Sequence, residues 1–296
     1  MNRTAAVVVT YNRKDLLRLC ITKLLGQADV FCDVIVIDNA STDGTAEMIR
    51  TEFDKPEVIY INTGKNLGGA GGFEYGTEKA VRMGYEYIWL MDDDTLPEES
   101  ALAALFSADK KLHGQWGFLS SVAYWTDGSI CRMNIQKKGI FRHIGQKEYA
   151  METAPVKMCS FVSLLVKSEV IREVGLPIGA YFIWTDDYEF TGRISRKYPC
   201  YMVPESRVIH AMKRHTRVDF ASDDASRIER YRCIYRNDVH CYRQYGPAGW
   251  AYILLKDIYT VIHILKDARG TRLERIRIVW QGFGDGLRFS PPIKRC

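Results

Sequence analysis

Short apolar runs separated by longer stretches of helical period occupy the first third of the chain. Unbroken apolar segments at 5–10, 34–38, 58–62 and 87–91 read as strands, while 16–27, 45–53 and 70–84 repeat their apolar residues at helical spacing. This alternation predicts a parallel sheet with helices on both faces. Such sheets gather ligands at the carboxyl ends of their strands. The second strand ends in Asp38-Asn39-Ala40-Ser41-Thr42-Asp43-Gly44, a run of turn formers and helix caps.

The pattern changes near residue 124. Asp127-Gly128 between apolar runs at 122–125 and 129–133 predicts a hairpin turn, 159–166 reads as a buried strand, and 168–174 as a short helix stopped by Gly175 and Pro177. Past Asp223 the chain becomes helical, basic and aromatic. The apolar stretch 250–265 is interrupted by Lys256 and Asp257 and followed by Lys266, Arg269, Arg272, Arg275 and Arg277. Two settings suit such a segment: an anionic membrane surface with the cations on head groups, or the main domain with a solvated basic face.

Composition narrows the class. At 296 residues with 47% hydrophobic positions, the chain can bury a full core, and a net charge of +5 is too mild to imply a nucleic-acid partner. The run at 5–9 is too short for a signal peptide, and no segment offers about 18 uninterrupted apolar residues. The expectation is a cytoplasmic chain not integral to a membrane. Cys20, Cys32, Cys131, Cys159, Cys200, Cys233, Cys241 and Cys296 show neither a C-x-x-C pair nor zinc spacing, so they read as free thiols.

The chemistry concentrates in acids. Asp92-Asp93-Asp94 follow an apolar strand directly. Carboxylates this close repel unless a cation compensates, and hard oxygen ligands at a strand end suit Mg²⁺ or Mn²⁺. A capped turn into a helix from Pro97 needs one acid, not three. A second cluster, Asp186-Asp187 with Glu189, lies beside Tyr181, Phe182 and Trp184 and offers a general base with an aromatic face. His210 adds a nitrogen ligand that tips the choice toward Mn²⁺, and Lys213, Arg214, His215 and Arg217 suit a diphosphate clamp. Gly68-Gly69-Ala70-Gly71-Gly72 resembles a phosphate-cradling loop at a helix start. That outline invites a dinucleotide-binding reading, but the spacing is not G-x-G-x-x-G and a ribose-binding acid is normally single. A nucleotidylyltransferase is a further alternative, against which 10–15 contains no glycine. A binding protein that has lost its chemistry is another, against which the acids are retained.

Taken in order, Val9-Thr10-Tyr11-Asn12-Arg13, Val36 to Thr45, Asn66 to Gly72, Asp92-Asp93-Asp94 and Trp184 to Glu189 resemble the inverting glycosyltransferases of family 2, with the α/β fold called GT-A, over roughly residues 5–210. The resemblance implies a Rossmann-like mixed sheet flanked by helices, with a nucleotide-sugar-binding half at 1–123, an acceptor-binding half at 124–217 and a basic, membrane-proximal helical extension at 218–296. By the same resemblance Thr10, Asn12, Arg13, Asp38, Asn66, Gly69, Asp92 and Asp93 border the nucleotide sugar, with Asp38 on the base imide. Asp92, Asp94 and His210 hold Mn²⁺ or Mg²⁺. Asp187 is the catalytic base, its neighbour Asp186 being the other choice, and Trp184, Asp186 and Glu189 shape the acceptor site. The motif order is similar to bacterial galactofuranosyltransferases and, next, rhamnosyltransferases, which implies UDP-galactofuranose or dTDP-rhamnose as donor and a glycan or lipid-linked glycan as acceptor. Thr185 departs from the pattern, standing between the tryptophan and the aspartate pair.

Overall fold

The computed structural model describes residues 3–212, 220–268 and 270–296. In chain order the elements are β1 (Thr4–Thr10), α1 (Lys14–Leu25), β2 (Asp33–Asp38), α2 (Thr45–Glu52), β3 (Val58–Asn62), α3 (Gly68–Arg82), β4 (Tyr87–Asp92), β5 (Thr95–Pro97), α4 (Ala101–Lys111) and β6 (Phe118–Tyr124). There follow β7 (Lys137–Gly139), β8 (Arg142–His143), β9 (Ala154–Pro155), β10 (Leu164–Lys167), α5 (Ser168–Val174), α6 (Asp186–Ser195), β11 (Tyr201–His210), α7 (Tyr231–Arg243), α8 (Gly246–Asp267) and α9 (Arg272–Arg288). One mixed sheet runs β3-β2-β1-β4-β10-β6-β11-β5, with β9 added beside β11.

The first four strands pair in parallel, Thr10 opposite Asp38, Asp38 opposite Asn62 and Val9 opposite Asp92, so their polar carboxyl ends form one row. β1 is buried along its whole length, as a parallel strand covered on both faces must be. Its alternation divides the core: Ala5, Val7 and Val9 pack with Phe73 of α3, Ile171 of α5 and Phe190 of α6, while Ala6 and Val8 pack with Ile21 of α1, Met48 of α2 and Leu105 of α4. β10 then inserts antiparallel between β4 and β6. The halves expected at 1–123 and 124–217 therefore share a single sheet.

Local differences from the sequence expectations have local causes. The hairpin at Asp127-Gly128 forms, Trp125 donating to Ser129 O at 2.7 Å. Pro97 lies in β5, paired with Val208, and the helix starts only at Ala101. The strand expected at 159–166 is regular only from Leu164, after Ser163 turns through φ 67°.

The C-terminal helices pack on one another and on the rest. Gly282 and Gly286 of α9 lie so close to α7 that a Cβ at either would stand 2.6 Å from Tyr235 Cβ or Val239 Cβ. Arg243 of α7 donates to the carbonyls of Gly286, Leu287 and Phe289, covering the end of α9. α8 is long and apolar enough to cross a bilayer by length and composition, although Lys256 and Asp257 interrupt its apolar run as expected. Helical periodicity turns its two interrupting charges inward: Asp257 is 1% exposed and Lys256 pairs with Asp238 of α7. Arg275, expected on the basic face, is buried and donates to the carbonyls of Phe220 and Asp223.

Candidate active site

The row of strand ends places the first acidic cluster. Asp92 closes β4 opposite Val9 of β1, and Asp93 and Asp94 turn into β5. Thr10 Oγ1 donates to Asp93 at 2.7 Å, and Arg13, just before α1, reaches Asp93 at 3.2 Å and Asp94 at 2.7 Å. Burial, then the charge of Asp94, pushes Asp92 up to about 7. Asp93 is pushed up to about 6 by burial against the pull of Arg13. Asp94 is also raised by burial, but hydrogen bonding and charge from His210 and Arg13 outweigh this and bring it below the ordinary range. His210, lowered by burial, is carried up to about 10 by Asp94, Cys131 and Asp92. Protonated His210 and Arg13 thus supply the positive charge that three crowded carboxylates require.

The same groups fit a divalent cation. Ligand atoms of Asp92, Asp94 and His210 lie within 4.8 Å of one another. His210 Nε2 stands 3.1 Å from Asp94 Oδ1, yet that buried oxygen accepts no well-aligned hydrogen bond. Two carboxylates and an imidazole make a donor set suited to Mn²⁺ or Mg²⁺. The far side of the imidazole is arranged for this: Nδ1 faces Asn134 Oδ1 at 2.9 Å and Trp125 stacks on the ring. With Nδ1–H donated to Asn134, a bound cation would take the place of the Nε2 proton and meet the lone pair there.

The second cluster stands at the first turn of α6, where the helix dipole favours negative charge. Asp187 accepts the Tyr188 amide at 2.7 Å; burial pushes it up to about 6, against that hydrogen bond and Lys137. Burial and then the charge of Asp187 push Asp186 well above the carboxylate range, and the charge of Asp92 adds to this across the gap between the clusters. Phe182, Trp184 and Thr185, in the segment leading into α6, all have positive φ, at 65°, 66° and 68°.

Other expected residues are placed differently. Glu189 is 3% exposed, with both oxygens held by Arg193 at 2.8 and 3.0 Å, while Arg193 also donates to Val174 O and Leu176 O. One turn beyond Asp186 on α6, it faces the core and is not presented to an acceptor. Trp184 is half-buried against Tyr231. Asp38 is wholly buried, its oxygens accepting the Ser41 amide at 2.8 Å and the Tyr60 hydroxyl at 2.6 Å, so it braces the loop after β2. Asn12 accepts the Thr42 amide at 2.7 Å and ties the loop after β1 to the loop after β2.

The glycine-rich run is not a separate loop: it is the first turns of α3, with Asn66 Oδ1 accepting the Gly68 amide at 2.8 Å. Gly69 borders open space, whereas a Cβ on Gly68 would stand 2.1 Å from Phe182 O, and one on Gly72 2.4 Å from Val9. These glycines bring α3 against the sheet and against the Phe182 segment. Lys213, Arg214, His215 and Arg217 lie outside the described residues.

Lys137 went unread in the sequence. It is buried, 4.1 Å from the Tyr188 ring centroid, donates to Tyr242 OH at 3.0 Å, and is brought down to about 8 by burial and Lys256. Nothing in Gln136-Lys137-Lys138-Gly139 distinguishes it from a surface lysine. Asn134 went unread too.

Comparison with known proteins bears on this site. Residues 5–170 match the model for glycosyl transferase family 2. Over 197 residues the chain is 24% identical to galactofuranosyltransferase GlfT1 of Mycolicibacterium smegmatis, covering 64% of this chain and 65% of that relative's length. Two solved structures share its fold. One is S. aureus TarS 1-349 in complex with UDP, with a TM-score of 0.59 at 12% identity, covering 97% of this chain and 72% of that one. The other is mannosyltransferase PcManGT from Pyrobaculum calidifontis in complex with GDP-Man and Mn²⁺, with a TM-score of 0.58 at 18% identity, covering 98% and 76%.

Proposed function

The chain belongs to glycosyl transferase family 2, and from that premise we propose that it transfers a sugar from a nucleotide diphosphate to a glycan with inversion at the anomeric carbon. The observation that carries the reading is the set Asp92, Asp94 and His210 gathered at the strand ends, with a second acid pair, Asp186 and Asp187, at the start of α6. One holds the donor's diphosphate side, the other the acceptor side.

Asp92, Asp94 and His210 would hold Mn²⁺ or Mg²⁺, which when bound neutralises charge on a departing diphosphate. Thr10 and Arg13 hold Asp93, and Arg13 holds Asp94, so the cluster keeps its shape without substrate. Asp187, poised near 6 by burial, takes the proton from an acceptor hydroxyl as that oxygen attacks in line, and a single displacement inverts the centre. Asp186 is raised well above the carboxylate range by burial and by Asp187, which favours its neighbour as the base. Trp184, half-exposed, borders the acceptor.

UDP-galactofuranose is the proposed donor, supported by the relationship to a galactofuranosyltransferase; dTDP-rhamnose is the competing donor. The proposed acceptor is a lipid-linked glycan reached from the inner face of the cytoplasmic membrane. Leu254, Leu255, Ile258, Tyr259, Ile262 and Leu265 form an exposed stripe on α8, with Lys266, Arg272 and Arg277 exposed nearby, as a peripheral anchor requires. Nucleotide diphosphate release from UDP-galactofuranose, dTDP-rhamnose and UDP-hexoses, with Mn²⁺ and with Asp94→Ala as control, tests the transferase reading; release from none of them sinks it. Co-sedimentation of Leu255→Glu/Tyr259→Glu with anionic vesicles tests the anchor, and binding equal to wild type sinks that.

A further inference from the structure

The segment that carries the second acid cluster is bent in a way its own residues disfavour. Phe182, Trp184 and Thr185 hold positive φ without being glycine, a conformation that persists only where surrounding structure over-determines it. On one side the first turns of α3 press on it: the Ala70 amide donates to Phe182 O at 3.2 Å, and Gly68 leaves no room for a side chain there. On the other side the hydrogen bonds come from successive residues of α7, far away in the chain. Asn237, with no exposed surface, directs its amide nitrogen at three backbone carbonyls, those of Tyr181 at 3.1 Å, Ile183 at 2.9 Å and Trp184 at 2.9 Å. Arg236 fixes that amide by donating to its oxygen at 2.9 and 3.0 Å, and donates to Ala180 O at 3.0 Å. Asp238 accepts the Thr185 hydroxyl at 2.8 Å on one oxygen and Lys256 of α8 on the other. His240 Nδ1 lies 2.6 Å from Tyr181 OH.

Resting on the proposed transferase reading, we propose that Asn237 and Asp238 are positioning residues for the base: by clamping 181–185 in its left-handed bend they set the direction in which α6 starts, and so where Asp187 stands relative to the Asp92–Asp94 cluster. Neither residue is placed to touch the donor. The two N–H groups of Asn237 are shared among three carbonyls of the segment, and Asp is a poor replacement because a carboxylate of the same shape has no N–H to give. The C-terminal helices are thereby part of the catalytic apparatus as well as a surface for docking.

The test uses the full chain with UDP-galactofuranose and Mn²⁺ as probes. Asn237→Asp keeps the size and removes the donors; misplacing a catalytic group by about 1 Å costs on the order of 10²-fold, so kcat is expected to fall about 10- to 100-fold while the donor KM stays close to wild type, and the melting temperature falls because a buried carboxylate then faces three carbonyls. Amide exchange at 181–188 is expected to quicken in that variant with the remainder of the sheet unchanged. Thr185→Val, which loses the hydroxyl given to Asp238, is expected to lower kcat, and Thr185→Ser to recover it. Equal kcat in the Val and Ser variants, or a fall in kcat/KM carried wholly by KM, overturns the proposal. The exchange measurement needs no substrate: unchanged exchange at 181–188 in Asn237→Asp overturns the clamp even if the donor assignment has failed, and a wild type silent toward every nucleotide sugar overturns the transferase reading alone.

Discussion

The two acid clusters are built on opposite plans. Asp92, Asp93 and Asp94 stand at the end of a parallel strand, braced by Thr10 and Arg13 from the adjoining strand and the loop after it, and their place follows from sheet register. Asp186 and Asp187 begin a helix launched from a bend of three left-handed non-glycine residues, held by α7 more than fifty residues on. The first cluster is a property of the sheet, and the second a property of packing between distant segments. Donor-side chemistry should therefore tolerate disturbance of the C-terminal helices that acceptor-side chemistry does not.

The largest effect expected is at the sheet-borne cluster. Asp94→Ala removes a proposed ligand and the partner of both His210 and Arg13; loss of several kcal/mol of metal-assisted stabilisation lowers turnover more than about 10³-fold, and Mn²⁺ titration calorimetry should show weakened binding. Retained Mn²⁺ affinity would remove the cation from this cluster. Next in size is Asp187→Asn, expected to lower kcat by about 10²- to 10³-fold while leaving UDP affinity near wild type. Equal loss of both would erase the separation between the clusters.

A third prediction concerns pH. As the proposed base, Asp187 must be ionised to take a proton and is held near 6, so kcat/KM should rise through about pH 6 and be lost below it. Lys137 favours the ionised form, so Lys137→Met should move the acid limb to higher pH. A limb that stays in place in the variant would detach Lys137 from the base. Folding is tested separately. Arg193→Met strands the buried Glu189 charge and should cost about 3–5 kcal/mol in denaturant unfolding. Gly69→Ala, facing open space, should change stability little, whereas Gly68→Ala, at φ 74° against Phe182 O, should be strongly destabilising.

Much of the fold was written in local pattern. Val34 to Asp38 and Tyr87 to Asp92 read as buried strands because both faces of a parallel sheet are covered, and three acids after β4 announce a charged site whatever surrounds them. The resemblance to family 2 ordered these pieces correctly. What remained illegible depended on partners far away in the chain. Glu189 reads like Asp187 in the sequence, but helical periodicity turns it onto Arg193; Lys137 reads like a surface lysine until three tyrosines from α6, α7 and α8 close around it. Lys256 and Asp257 read as interruptions of an apolar stretch and became the inward face of α8. Sequence alone determined the strand-end chemistry, since hydrophobic period and side-chain type are local properties. Only the tertiary structure decided which acids are presented and which are buried in pairs, because a carboxylate's charge and direction depend on the groups that folding brings within a few ångströms of it.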